Sequence, residues 1–166
     1  GWDLAAEGRI QEGMEQVRDG LAALRAIGAD VRRSYFLGLL AEVCLWAGQY
    51  DSGLDAVSEA LDLVETHGER WWEAELCRLQ GELLLAHPGD GQSRARSCFE
   101  RALDISRQQK AKSLELRAAT SLARLWRGQG NRAEAHDLLA PTYGWFTEGF
   151  ETPDLEDAKA LLDELR

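Results

Sequence analysis

The sequence is poor in the residues that interrupt helices and in those that build most local chemical sites. Three prolines in 166 residues leave long stretches free of the break that a missing amide donor imposes. The three histidines, His67, His87 and His136, have no second histidine or cysteine at i+3 or i+4, and no CxxC occurs, so no metal site is written in local spacing. There is no GxxxxGK[ST] phosphate loop; GDGQS at 89–93 has the glycines without the lysine. Serine and cysteine nucleophiles lack an elbow or a nearby base pattern. Acidic residues outnumber basic ones, 29 to 19: the net charge of −10 argues against a nucleic-acid surface, which needs clustered Lys and Arg.

Long apolar runs are missing as well. The longest, such as LLLA at 83–86, fall far below the roughly 18–20 residues that span a bilayer. No basic stretch followed by an apolar one marks a secretory leader. The cysteines, Cys44, Cys77 and Cys98, are odd in number and embedded in helical patterns. They are expected as buried free thiols, which places the protein in a reducing, cytoplasmic compartment. The chain opens on Gly1 and its single methionine is Met14, so it reads as a segment of a longer protein.

What is present favours helix. Ala, Leu, Glu and Arg dominate, and 45% hydrophobic with 29% charged residues suits a soluble domain with a real core. Self-comparison exposes a repeat. Gly8, Gly48, Asp90 and Gly130 form a column with spacings of 40, 42 and 40. Five positions on stand Gly13, Gly53, Ala95 and Ala135, all small; nine on stand Val17, Val57, Phe99 and Leu139, all apolar. Twelve on come Gly20, Ala60, Ala102 and Thr142, and thirteen on come Leu21, Leu61, Leu103 and Tyr143. These offsets share one helical face, with small side chains where a neighbouring helix must approach closely.

The segments before each column carry their own stripe: Trp72, Leu76, Leu79, Leu83 and Ala86 in one, Leu114, Ala118, Leu122 and Leu125 in another, Phe36, Leu39, Leu40 and Val43 in a third. Each unit is therefore helix A, a turn, then helix B. Helices are predicted near 2–7, 10–27, 31–47, 50–66, 70–86, 93–109, 112–128 and 131–147, with turns at Gly28, Gly48, Gly68, 87–91 and 128–130. Repeat units fall at about 1–27, 31–67, 69–110 and 112–148 of a single domain covering 1–166. A capping helix from 154 to 166 is predicted, with Thr152 as N-cap, Pro153 in the first turn, and Asp154 and Glu156 facing the helix dipole.

The glycine column followed twelve residues later by a small residue resembles the tetratricopeptide family, in a variety longer than the standard repeat of about 34 residues and without its terminal proline. Across 68–165, GERWWEAELCRLQGELLL, CFERALDISRQQKAKSLELRAATSLARLWRGQG and AHDLLAPTYGWFTEGFETPDLEDAKALLDEL resemble a narrower group. That group is the C-terminal helical-repeat region of bacterial signalling proteins carrying adenylate/guanylate cyclase and AAA/NACHT-type ATPase domains; related regulators carry a DNA-binding domain instead. The expected fold is all-α, a right-handed superhelical stack of about four tetratricopeptide-like helix pairs with a C-terminal cap. The resemblance implies a regulatory or interaction region with no catalytic motif and no cofactor.

Several stretches are candidates for more specific work. ERWWEAEL at 69–76 sets Trp71 and Trp72 beside carboxylates, which could stack a sugar over an acid/base pair. Glu73 and Glu75, two apart, diverge on a helix by about 200° and cannot face one substrate; packing for the rings and a solvated face for the glutamates fit better. Trp46 and Trp126 recur in LWAG and LWRG, as structural residues of the repeat would. TYGWFTEGF at 142–150 reads either as a helix end tucked under the cap or as an aromatic docking knob.

The arginines of the A helices, Arg32, Arg33, Arg78, Arg117 and Arg124, recur along what would be a concave groove, where they would select an acidic partner segment. The alternative is intramolecular pairing such as Glu75 with Arg78 on solvated faces. Arg33, Trp72, Arg78, Arg117 and Arg124 are the expected contact residues. The expected partner is a protein or peptide, including the parent's own domains or a second copy, and neither nucleic acid nor membrane. A small-molecule sensor that controls a neighbouring ATPase or cyclase domain is the alternative.

Overall fold

A computed structural model describes residues 1–28 and 32–166. Among these the chain is helical throughout, with no strand. The helices are α1 (Trp2–Ala6), α2 (Ile10–Ala26), α3 (Arg33–Trp46), α4 (Tyr50–His67), α5 (Glu73–Ala86), α6 (Gln92–Gln108), α7 (Lys112–Gly128), α8 (Arg132–Tyr143) and α9 (Pro153–Leu165). The predicted start of a helix at 31 lies outside the described residues.

The helices pack in adjacent pairs, α1 on α2, α3 on α4, α5 on α6 and α7 on α8. Each second helix also packs on the first helix of the next pair. The first helices, the A helices, touch one another in succession from α1 through α3 and α5 to α7, and α9 takes the next place beside α7 and α8.

The repeat columns explain this packing. Ala60, Ala95, Ala102 and Ala135 are fully buried, as are Val57, Phe99 and Leu139. A Cβ at Gly53 would come within 2.6 Å of Leu83 Cδ2, so the small residue is required by the approach of α5 to α4. One core gathers the α3–α5 residues around Val57, Val64, Leu76 and Leu83; a second gathers the α5–α9 residues around Phe99, Leu122, Leu139 and Leu162.

The turns follow the glycine column. Gly8, Gly48 and Gly130 have φ of +91°, +70° and +88°, the left-handed region that side chains avoid. After them the amides of Arg9, Gln49 and Asn131 donate to the carbonyls of Leu4, Cys44 and Trp126, closing the orphan acceptors of each A helix. The third turn departs from the pattern: α5 ends in extended backbone at His87, and Gly89, at φ +136°, reverses the chain beside Asp90. Between α6 and α7 the left-handed position belongs to Lys110, at φ +56°, where the preceding unit uses Gly68.

Three local expectations are corrected. Residues 70–72 form a single 3₁₀ turn, and α5 proper begins at Glu73. Helix α8 stops at Tyr143, not near 147: Pro141 removes an amide donor from its last turn, and Gly144 follows as the C-cap. Thr152 does stand at the N-cap of α9, but its hydroxyl donates to the Gly149 carbonyl and caps no amide.

Candidate functional site

The A helices carry a ladder of charged side chains that crosses from unit to unit. Glu75 on α5 is 2% exposed and accepts from Arg78 Nε at 3.0 Å and from Arg78 Nη2 at 2.7 Å. Arg117, on α7, forms an ion pair with the same carboxylate at 2.9 Å, and its other nitrogens lie 3.7 Å from Glu42 on α3 and 3.4 Å from Asp154 on α9. Arg78 also meets Glu82 at 3.3 Å, whose carboxylate accepts from Ser121 Oγ at 2.6 Å. Trp2 Nε1 of α1 donates to Glu42 at 2.7 Å, and Arg124 pairs with Asp157 of α9 at 3.1 Å.

This overturns the expectation of a solvated Glu75. A buried carboxylate is tolerated because two guanidiniums saturate it, and those same contacts hold the Arg78 guanidinium protonated against the opposing effect of its burial. Glu73 is buried too, but on a different flank, between Arg70 at 2.9 Å and Arg101 at 3.0 Å. The divergence of the two glutamates is as the helix periodicity requires; their exposure is not.

The arginine row is accordingly not a line of uncompensated positive charge. Arg78, Arg117 and Arg124 each face carboxylates supplied by the chain itself. Arg33 stands apart: it pairs with Glu59 of α4, on the flank between an A and a B helix. Arg32 caps α3 in the left-handed conformation at φ +63°, its amide donating to Glu69 at 3.1 Å.

An aromatic cluster sits where α3 and α5 begin. Tyr35 of α3 stacks on Trp71 with ring centroids 5.5 Å apart and an angle of 30°, and meets Trp72 edge-on at 5.2 Å. Trp72 is half-buried over Gly38, where a Cβ would come within 3.1 Å of the indole Nε1. Trp71 remains 48% exposed. At the far end Tyr143 and Phe146 tuck against the second core, whereas Trp145 and Phe150 stay exposed, so the 142–150 stretch is part anchor and part surface. Trp126 packs on the same core with Arg96 over its ring, and Trp46 rests on Trp2 at 5.8 Å.

Three adjoining cavities are lined by A-row residues. One of about 670 Å³ lies beside Arg32, Phe36 and the Tyr35–Trp71–Trp72 cluster. A second, of about 520 Å³, has Trp2, Tyr35 and Trp72 on its walls with Asp3, Glu42 and Asp154. The third, of about 180 Å³, holds the Arg78–Arg117–Arg124 end of the ladder. In the second cavity α1 and α9, the two ends of the row, contribute to one wall system together with α3 and α7.

The sequence singles out the arginines and Trp72 but not the carboxylates that Arg78, Arg117 and Arg124 face: Glu42, Glu82, Asp154 and Asp157. One signal existed: Glu75 and Glu115 occupy the same repeat position 40 residues apart, and both are buried. Glu115 pairs with Arg107 at 3.0 Å and Lys112 at 2.6 Å. The thiols of Cys44 and Cys77 are buried and Cys98 is half-buried, all three free. Burial pushes the Cys77 thiol up to about 11. No group of three or more metal-ligating side chains occurs among the described residues, and none of their helices is long and apolar enough to cross a membrane.

No family model matches the chain. It is similar to a protein of Rhizobium meliloti (strain 1021) that is itself described as uncharacterised, with 29% identity over 125 residues. The match covers 75% of this chain, and the chain spans 12% of the length of that relative.

Proposed function

We propose that this chain is a non-catalytic interaction module that docks a protein or peptide along its row of A helices. The observation that carries the reading is the second cavity, to which α1, α3, α7 and α9 all contribute walls. Helices so far apart in order facing one space fit a row that curves inward, as the A face of a right-handed tetratricopeptide-like superhelix does. Arg117 reaching from α7 to Glu42 of α3, past α5, supports the same curvature. Such a face suits an extended or helical segment.

The resemblance of 68–165 to the helical-repeat regions of bacterial ATPase and cyclase regulators supports placing the module in a cytoplasmic signalling protein. The docked segment then belongs to a sister domain, a separate protein or a second copy. The short span of the match within the Rhizobium relative fits a module of a larger protein.

The test is a calorimetric titration with the remaining domains of the parent protein. Tyr35→Ala, on the A row, should abolish binding, and Glu134→Lys, on the exposed face of α8, should preserve it. Equal affinity for both variants would remove the site from the A row. A second reading, a small-molecule sensor, is favoured by the size of the cavities, which falls within the roughly 300–1,000 Å³ of ligand pockets. A metabolite that raises Tm in a thermal-shift screen, with no effect of the sister domains, would favour that reading.

A further inference from the structure

The charge on the A row is opposite to the sign its arginines suggest. The ladder and its cavities contain six carboxylates, Asp3, Glu42, Glu75, Glu82, Asp154 and Asp157, against the three guanidiniums of Arg78, Arg117 and Arg124. Arg32, lining the adjoining aromatic cavity, reduces this negative balance without reversing it. Asp3 is exposed and makes no ion pair among the described residues, and Asp154 gives only a 3.4 Å contact to Arg117. Both therefore retain acceptor capacity, since an ionised carboxylate has about four lone-pair positions.

The same cavity has aromatic walls. Trp2, Tyr35 and Trp72 line it together with these carboxylates. Indole and phenol faces attract a cation through their quadrupole, most strongly where water is partly excluded. A carboxylate beside an aromatic face therefore favours a guanidinium or an ammonium over an anion or a neutral group. The chain already displays this chemistry: Arg117 lies among Glu42, Glu75 and Asp154 in that cavity.

Resting on the reading of the A row as the docking face, we infer that the Trp2–Tyr35–Trp72 cavity receives an arginine or lysine side chain of a basic partner segment. The net charge of −10 steers such a segment toward the chain from a distance, and the cavity selects it at contact. At about 520 Å³ the space holds one long cationic side chain with part of its backbone.

The experiment measures fluorescence anisotropy of a labelled peptide of alternating arginine and glycine against the 166-residue chain. The control peptide has citrulline at each arginine, keeping the shape and removing the charge. Two double variants are compared: Asp3→Asn with Asp154→Asn in the cavity, and Glu134→Gln with Asp137→Asn on α8, which removes the same charge elsewhere. The arginine peptide should bind, and the citrulline peptide should not. The cavity variant should weaken binding roughly tenfold while the α8 variant leaves it unchanged, with circular dichroism confirming that both stay folded. Equal weakening by both variants would mean only the overall charge acts, and overturns the assignment, as would equal binding of the two peptides. Free arginine displacing the peptide at equal concentration would also overturn it, by making the ligand a small cation. A glutamate–glycine peptide binding instead, and losing affinity on Arg124→Gln, would keep the A row as the docking face while refuting its cationic selectivity.

Discussion

Replacing Arg78 by methionine should be among the more damaging single changes available on the A row. Methionine matches the length of the arginine stem, so packing along the helix is largely kept and the effect is electrostatic. The substitution deletes the contacts of 2.7 Å and 3.0 Å to Glu75, a carboxylate only 2% exposed, and the 3.3 Å contact to Glu82. Removing one partner of a buried pair costs about 3–5 kcal/mol, because the remaining charge is stranded away from water. Arg117 still pairs with Glu75 at 2.9 Å, which places Arg78→Met near the lower end, about 3 kcal/mol.

Adding Glu75→Gln removes the stranded charge, so the double variant should recover about 1–2 kcal/mol of that loss. Urea unfolding followed by circular dichroism measures both, with the slope confirming that the unfolding reaction itself is unchanged. A cost below about 1 kcal/mol for Arg78→Met, or a double variant no more stable than the single, would refute a desolvated, mutually dependent pair. The same ladder makes Arg117→Glu a poor surface probe. It would set a fourth carboxylate among Glu42, Glu75 and Asp154, so the fold would lose stability before any partner was tested.

Gly81→Ala should cost about 1–3 kcal/mol in the same unfolding assay, since its Cβ would come within 2.7 Å of the buried Phe99 ring, whereas Gly20→Ala, exposed on α2 with nothing within 4 Å, should stabilise by about 0.5–1 kcal/mol. Burial opposes the charge on Glu115, but hydrogen bonds from Lys112 and Arg107 outweigh it and lower its pKa below the usual 4.5. Its contribution to stability is thus complete above about pH 4.5 and fades as pH falls through the lower folded value; Glu115→Gln should flatten that part of a stability-against-pH curve. Native-state alkylation followed by mass spectrometry should label half-buried Cys98 before Cys44 and Cys77: burial raises all three thiols, but Cys44 and Cys77 are also closed off from reagent, and Cys77, held at about 11, supplies almost no thiolate at pH 8. Lys110→Gly should raise stability by about 1 kcal/mol by relieving a side chain held at φ +56°.

The helices and their pairing were legible because they rest on local physics. A glycine at positive φ just past a helix closes it, and Gly48 and Gly130 do so at the positions their column marks. The buried small residues Ala60, Ala102 and Ala135 follow from the same periodicity, since a helix face that meets a neighbour must repeat its side-chain sizes. Two local expectations failed for different reasons: the helix periodicity ran past Pro141, whose missing amide ends α8, and the Thr152 hydroxyl turned back to Gly149.

The charge ladder lay beyond that reach. Glu75 looks like any helical glutamate until Arg117, 42 residues away, is brought across from α7 to meet it. Trp2 finds Glu42, and Arg124 finds Asp157, only through the inclination of one unit on the next. That inclination is set by how whole helix faces interlock, and a repeat pattern within each unit does not encode it. The composition and period of the chain therefore settle an all-helical array of paired helices, while the burial of Glu75 and the sign of the charge along the A row are decided by tertiary packing. Charge–charge energies depend on distances between units that only the folded stack creates.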